Sequence, residues 1–164
     1  MSFYLHPEYP PEGITRADLH ARYGFERDPM IDRFAQFGLP YNPPEVIPNT
    51  KLALQLTELA RDRDLHEPFH RRLMDAYWTE GTNIGDPGEL RRLAGEVGLP
   101  AEDVEQTIAG GDAYLTRVLE STRHAQSLGI NGIPAFVLDR RLLISGAQPI
   151  EVFDQAFAQL SGRR

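Results

Sequence analysis

One stretch near the end of the chain constrains the fold more than any other: GINGIPAFVLDRRLLISGAQP, residues 129–149. It contains two short apolar runs, AFVL (135–138) and LLIS (142–145), joined by three polar residues. That spacing predicts a β-hairpin. Pro134 directly precedes the first run. Because proline has no N–H, it cannot donate a hydrogen bond to a strand ladder. The stretch therefore predicts a proline-bounded turn that leads into a hairpin.

Most of the remaining chain has helical periodicity. Between residues 15 and 128, apolar residues recur at helical spacing in about six segments. Thr15 and the Asp86–Pro87 pair are typical helix starts. After the hairpin, Pro149 is followed by a final amphipathic segment. At the other end of the chain, the short apolar run SFYL at residues 2–5 predicts a strand.

These elements predict an α/β fold in two parts. Because a two-stranded ribbon is marginally stable alone, we expect the strand at 2–5 to share one sheet with the hairpin. Residues 1–14 and 129–164 would then form the sheet-containing part. Residues 15–128 would form an all-helical insertion, whose last helix joins the sheet-containing part.

The charge balance argues against several classes of partner. Seventeen basic and 24 acidic residues give a net charge of -7, and no basic run is present. We therefore expect neither nucleic acid nor an anionic membrane surface as a partner. No apolar run approaches the ~20 residues of a membrane span, and the first residues do not resemble a signal peptide. The sequence thus predicts a cytoplasmic location.

The chain contains no cysteine. Disulfide bonds, thiolate metal sites and cysteine nucleophiles are therefore excluded for these 164 residues. The motifs in the sequence predict no catalytic residue, no cofactor and no metal ion.

The segment HEPFH at residues 66–70 matches the H-E-x-x-H pattern of zinc proteases. That pattern requires an uninterrupted helix, and Pro68 lies inside it. No convincing third ligand follows. We therefore predict a helix that begins near His66 or Glu67 with Pro68 at its first position, Phe69 in the core, and no zinc site.

The hairpin and its flanking residues resemble the DsbA family of thiol–disulfide oxidoreductases, which have a thioredoxin fold with a helical insertion. The similarity is greatest to the FrnE-like branch, for which Ser145-Gly146-Ala147-Gln148-Pro149 is the most specific stretch. Similar stretches follow one another in the same order along nearly the whole chain: FYLHPEYPPEG at 3–13, PNTKLAL at 48–54, FHRRLMDAYWTEGTNIGDPGEL at 69–90 and GINGIPAFVLDRRLLISGAQPIEVF at 129–153.

The resemblance implies a substrate-binding loop. In that family the proline before the hairpin is cis, and the residue before it pairs through its backbone with a substrate peptide. By resemblance, Gly132, Ile133 and Pro134 would bind a peptide or a protein thiol substrate. The family's catalytic Cys-x-x-Cys has no counterpart here, so the resemblance predicts that the chain as given is redox-inert.

The sequence is compatible with three interpretations of the missing motif. The start of the chain could be misassigned or truncated, a short form could have kept only a peptide-binding or dimeric scaffold role, or the resemblance could mislead. A further alternative is a glutathione-dependent isomerase of the same superfamily, in which serine can replace the nucleophilic cysteine. A sheet without its first strand exposes an edge and an apolar face, which predicts a homodimer that buries Phe3, Leu5 or Phe136.

Overall fold

The computed structural model describes residues 1–24, 26, 28, 30–110 and 112–162, and it divides into two compact units, Met1–Ser121 and a second that begins at Thr122. The described residues form eight helices and four short strands. In chain order these are β1 (Ile14–Thr15), α1 (Arg16–Tyr23), α2 (Met30–Gln36), β2 (Val46–Ile47), α3 (Lys51–Asp62), α4 (His66–Trp78), α5 (Pro87–Glu96), α6 (Ala101–Ile108), α7 (Asp112–Ser127), β3 (Ala135–Leu138), β4 (Leu142–Ser145) and α8 (Ile150–Leu160). The predicted α/β class is correct, and seven helices rather than about six precede the hairpin.

The core of the first unit lies among helices α3 to α6. Each of these helices carries an apolar stripe at helical spacing, and the stripes face one another. The largest completely buried side chains of this core are Leu56, Leu59, Phe69, Leu90 and Leu93. The unit therefore closes around its own apolar residues.

Helix starts follow the side-chain chemistry of the sequence. Asp86 caps α5 by accepting a hydrogen bond from the Glu89 N–H at 2.9 Å, and Pro87 occupies the first helical position. Thr15 caps α1 by accepting from the Asp18 N–H at 3.0 Å. Both predicted starts are confirmed. Each cap satisfies an N–H that has no partner inside its own helix.

A short antiparallel ladder joins β1 to β2, with Ile14 opposite Ile47 and Thr15 opposite Val46. The composition of the proline-rich segment that contains β2 predicts only that it is not helical. Each strand has two residues, too few for an alternating pattern to be recognised in the sequence. The ladder nevertheless positions Thr15, which belongs to β1 and also caps α1.

The prediction of a strand at residues 2–5 is wrong. These residues form no strand in the described chain, and the hairpin pairs only with itself. The Ser2 hydroxyl donates to Glu58 on α3, and the Ser121 hydroxyl on α7 donates to the Ser2 carbonyl at 2.6 Å. The Tyr4 hydroxyl donates to Asn49 at 2.6 Å. Polar contacts with α3, α7 and Asn49 therefore hold this apolar segment, where a strand ladder was expected.

The hairpin prediction is confirmed residue for residue. In the second unit, β3 and β4 pair antiparallel, with Phe136 opposite Ile144 and Val137 opposite Leu143. The turn residues Asp139 and Arg140 have φ values of 49° and 52°. They are the central residues of a β-turn that the Arg141 N–H closes onto the Leu138 carbonyl at 3.0 Å, and positive φ at both positions matches the twist of the flanking strands.

Helix α8 follows Pro149 and supplies the ring of Phe153, which meets Phe136 edge to face at a centroid distance of 5.0 Å. Among the described residues, no helix combines the length and the apolar character needed to cross a membrane.

Candidate functional site

The loop before the hairpin is anchored at the end of helix α7. Gly129 has a φ of 82° and donates its N–H to the Gln126 carbonyl at 2.9 Å, while the Ile130 N–H reaches the Ala125 carbonyl at 3.1 Å. These bonds satisfy carbonyls that would otherwise lack partners at the helix end. Ile130 is buried, so the chain is fixed immediately before the loop.

The three predicted site residues lie together at the surface after that anchor. Gly132 is half-buried, Pro134 is exposed, and 60% of Ile133 is exposed. The Ile133–Pro134 peptide bond is cis, the geometry that the resemblance implies. An exposed isoleucine beside a proline on a fixed loop is available to a partner.

The stretch Ser145–Pro149 fixes the other side of the loop. The Gly146 N–H donates to the Pro134 carbonyl at 2.8 Å, and the Gln148 side-chain amide donates to the Ser145 carbonyl at 2.8 Å. Gly146 has a φ of 78°, a conformation that glycine adopts without steric cost. The stretch therefore continues the hairpin ladder as far as Pro134.

The backbone of Ile133 is left open by this arrangement. Within the described part of the chain, neither its N–H nor its carbonyl takes part in a hydrogen bond. Exposed backbone groups next to a strand can pair with an extended peptide, as in β-strand addition. The geometry thus provides one donor and one acceptor at the rim of the hairpin.

Exposed apolar side chains are frequent throughout the second unit. Phe136 remains 39% exposed despite its contact with Phe153, and Val137 and Leu143 are each 43% exposed on the opposite face of the hairpin. The remaining exposed large apolar residues of this unit are Leu128, Ile133, Ile150 and Phe157. A surface of this composition favours contact with an apolar partner.

A polar cluster in the first unit was missed by sequence analysis. Arg16 donates to Asp28 at 2.9 Å, to Tyr77 at 3.1 Å and to the Pro44 carbonyl at 2.7 Å. The Tyr41 hydroxyl also donates to Asp28. The side chains of Arg16 and Asp28 are only 16% and 13% exposed. Since these groups satisfy one another, the cluster is a structural link between distant segments.

The cluster shifts the protonation of its members. Burial alone would raise the pKa of Asp28, but hydrogen bonds from Tyr41 and the Met30 N–H, together with Arg16, lower it overall. Burial and the bond to Asp28 raise the pKa of Tyr41. Burial raises the pKa of Tyr77 as well. Asp28 is therefore an anion at neutral pH, hydrogen-bonded to a neutral Tyr41.

The H-E-x-x-H segment adopts a helical conformation after all. Helix α4 begins at His66, which makes Pro68 its third residue rather than its first. A proline is tolerated there because the first helical N–H groups have no partner inside the helix. Phe69 is buried, as predicted. In the described chain, no group of three or more histidine or acidic side chains is arranged to hold a metal ion.

Comparisons with known proteins show which proteins the chain is similar to. The chain is 27% identical over 163 residues to the YwbO protein of Bacillus subtilis strain 168, a match that covers 96% of this chain and 79% of YwbO. Its structure is similar to that of SCO1869, a probable DsbA oxidoreductase from Streptomyces coelicolor, with a TM-score of 0.87 and 33% identity. That match covers 99% of this chain and 74% of SCO1869.

A more distant solved structure shares the fold. The cytosolic disulfide reductase DsbM from Pseudomonas aeruginosa, solved with GSH, matches with a TM-score of 0.62 and 24% identity over 84% of this chain and 77% of DsbM. The family model for the DSBA-like thioredoxin domain matches residues 2–158. The chain therefore belongs to the DSBA-like thioredoxin domain family.

Proposed function

We propose that the Gly132–Pro134 loop binds an extended segment of a peptide or protein thiol substrate. The observation that carries this proposal is the open backbone of Ile133, beside an exposed side chain on a loop that is fixed at both ends. An extended peptide would gain main-chain hydrogen bonds at Ile133 and apolar contacts with its side chain.

Within the family, we assign the chain to the FrnE-like branch. The support is the Ser145–Pro149 stretch, whose Gly146 N–H bonds to the Pro134 carbonyl. In the same proposal, residues 1–14 and 129–164 correspond to the thioredoxin-like part, and residues 15–128 to its helical insertion. The proposed location is the cytoplasm, and the proposed substrates are polypeptides.

These 164 residues bind substrate without performing thiol–disulfide exchange. In that exchange a thiolate attacks one sulfur of a disulfide, and the other sulfur leaves as a thiolate. The chain contains no cysteine to supply the attacking sulfur. In an insulin-reduction assay with dithiothreitol, we expect the rate with the chain to equal the rate without it. A faster rate would contradict this part of the proposal.

Substrate binding can be tested separately from catalysis. A fluorescein-labelled, carboxymethylated insulin B chain is an extended peptide that cannot exchange disulfides. We expect its fluorescence anisotropy to rise on titration with the chain, and the variant Ile133→Glu to weaken the interaction. Phe37→Glu is the control, since Phe37 is 68% exposed in the other unit. Equal binding by all three proteins would refute the assignment to this loop.

A dimeric scaffold is a second candidate role. It is favoured by the seven large apolar side chains that the described residues of the second unit expose, Phe136 among them. In this role a second copy covers these side chains; Phe3 and Leu5, for which the sequence also predicts burial in a dimer, are half-buried in the first unit. Sedimentation velocity over a dilution series distinguishes the roles. A dimer that dissociates only at high dilution supports the scaffold, and a monomer at every concentration excludes it.

A further inference from the structure

The first turn of α4 presents two imidazoles on one face of the helix. His66 and His70 are four residues apart, and their rings are parallel within 3° at a centroid distance of 5.9 Å. Residues at this spacing are neighbours on a helix surface. Two imidazoles arranged in this way can bind one ion together if their ring nitrogens turn towards it.

The turn that carries the two histidines is fixed. Pro68 lies between them and restricts the backbone φ of the turn. Phe69 is completely buried, and Leu73 one turn further along is 2% exposed. These side chains hold the helix against the core, so the two imidazoles need only side-chain rotation to approach one ion.

We propose that His66 and His70 together bind one divalent transition-metal ion, with water completing its coordination. Imidazole ligands suit Cu²⁺, Ni²⁺ and Zn²⁺, and affinity at a given nitrogen site is highest for Cu²⁺. Arg61 and the positive end of the helix oppose a cation, so the site is weak and reversible. It is distinct from the peptide loop and does not depend on the proposed substrate.

The pair does not make the chain a zinc hydrolase. The described residues supply no third protein ligand next to the two histidines. Glu67, which would be the general base of such an enzyme, is ion-paired with Arg71 at 3.0 Å. The site binds an ion and has no partner for hydrolysis.

The test uses the untagged full chain and Cu²⁺ or Ni²⁺ alone as the probe. Calorimetric titration with Ni²⁺ should give one site, and the Cu²⁺ complex should show imidazole nitrogen coupling in its electron paramagnetic resonance spectrum. His66→Asn and His70→Asn should each weaken binding on the order of tenfold or more, because the second imidazole acts as an intramolecular ligand. His124→Asn is the matched control and should bind like the parent chain.

A second measurement guards against variants that fail to fold. Both histidines are near the surface, so the far-UV circular dichroism of each variant should match that of the parent. Added Ni²⁺ should raise the melting temperature of the parent but not of the His66→Asn/His70→Asn double variant, since an ion that binds the folded state stabilises it. Absence of stoichiometric binding at millimolar Ni²⁺, or equal binding by the double variant, would overturn the proposal.

Discussion

The helical unit, which ends at Ser121, and the hairpin unit, which begins at Thr122, differ in how completely their apolar side chains are buried. In the helical unit, large side chains such as Leu56, Phe69 and Leu90 are completely buried. In the hairpin unit, the described residues bury only four apolar side chains, Ala125, Ile130, Ile144 and Ala156, and expose seven large ones.

The two units also differ in their polar groups. The helical unit joins segments that are far apart in the chain through charged side chains: the half-buried Arg16 on α1 bonds to the half-buried Asp28, and the half-buried Arg72 on α4 bonds to the exposed Glu80 and Glu96. In the hairpin unit, the polar contact of the turn is the exposed pair Asp139 and Arg141, 3.7 Å apart. The helical unit thus encloses a large apolar core, whereas the hairpin unit exposes a surface suited to a partner.

The largest contrast is expected for two phenylalanines. Phe69→Ala removes a completely buried ring and should lower the free energy of unfolding by ~3–5 kcal/mol. Phe157→Ala changes a ring that is 53% exposed and should cost about 0.5 kcal/mol or less. Urea denaturation of both variants measures the difference. Similar losses would show that the hairpin unit is packed as tightly as the helical one.

Two glycines provide the next contrast. Gly13 and Gly146 have φ values of 82° and 78°, so alanine costs each about 1–2 kcal/mol in backbone energy. A Cβ at Gly13 would also overlap the Ile47 carbonyl oxygen, whereas at Gly146 it would meet only the flexible Gln148 amide, at 3.6 Å. Gly13→Ala should therefore destabilise the chain by ~3 kcal/mol, clearly more than Gly146→Ala. Thermal denaturation of the two variants measures the difference. Equal losses of stability would show that the Gly13 backbone does not closely approach the Ile47 carbonyl in β2.

Acid should weaken the polar cluster around Asp28. The folded-state pKa of Asp28 lies below its ordinary value of 3.8, so its contribution is complete above that value and is lost as the pH falls through the lower one. Asp28→Asn should cost ~1–3 kcal/mol at pH 7 and less at pH 2. Asp139→Asn is the control at pH 7: it changes an exposed turn residue whose backbone conformation asparagine tolerates, and it should change the free energy of unfolding by about 0.5 kcal/mol or less. A cost of Asp28→Asn that does not depend on pH would contradict the assigned charge.

The smallest effect on stability is expected on the outer face of the hairpin. Val137→Lys and Leu143→Lys change a cross-strand pair that is 43% exposed at each residue, and each should cost about 0.5 kcal/mol or less. If a second copy covers this face, the same variants should convert a dimer into a monomer in sedimentation velocity. A large loss of stability in a monomeric parent would mean that this face already has an intramolecular partner.

Local patterns in the sequence predicted the elements that local chemistry determines. The hairpin bounds and the caps at Thr15 and Asp86 depend on neighbouring residues, so the sequence was sufficient to predict them. The strand at 2–5 was predicted from apolar composition alone. The conformation of this segment depends on hydrogen bonds from Ser2 to Glu58 and from Ser121 to Ser2, which connect residues far apart in the chain.

Long-range polar contacts left no periodic signal that could be read in advance. Arg16, Asp28 and Tyr77 are separated by up to 61 positions, and no spacing rule joins them. The sequence also did not predict that Phe136 and Leu143 are partly exposed. An apolar residue in a strand predicts burial but does not identify what covers it. The site loop and the role of the Ile133 backbone were predicted through family resemblance, and the structure adds that this backbone has no hydrogen-bond partner among the described residues.

The most direct measurement is nuclear magnetic resonance of the isotope-labelled chain during titration with carboxymethylated insulin B chain. Binding at the proposed loop predicts that the amide signals of Gly132 and Ile133 shift first and that hydrogen exchange at the Ile133 N–H slows. Signals of the α3–α6 core, such as that of Leu59, should remain unchanged. Shifts confined to the helical unit, or an Ile133 amide that exchanges equally fast with and without peptide, would contradict the account.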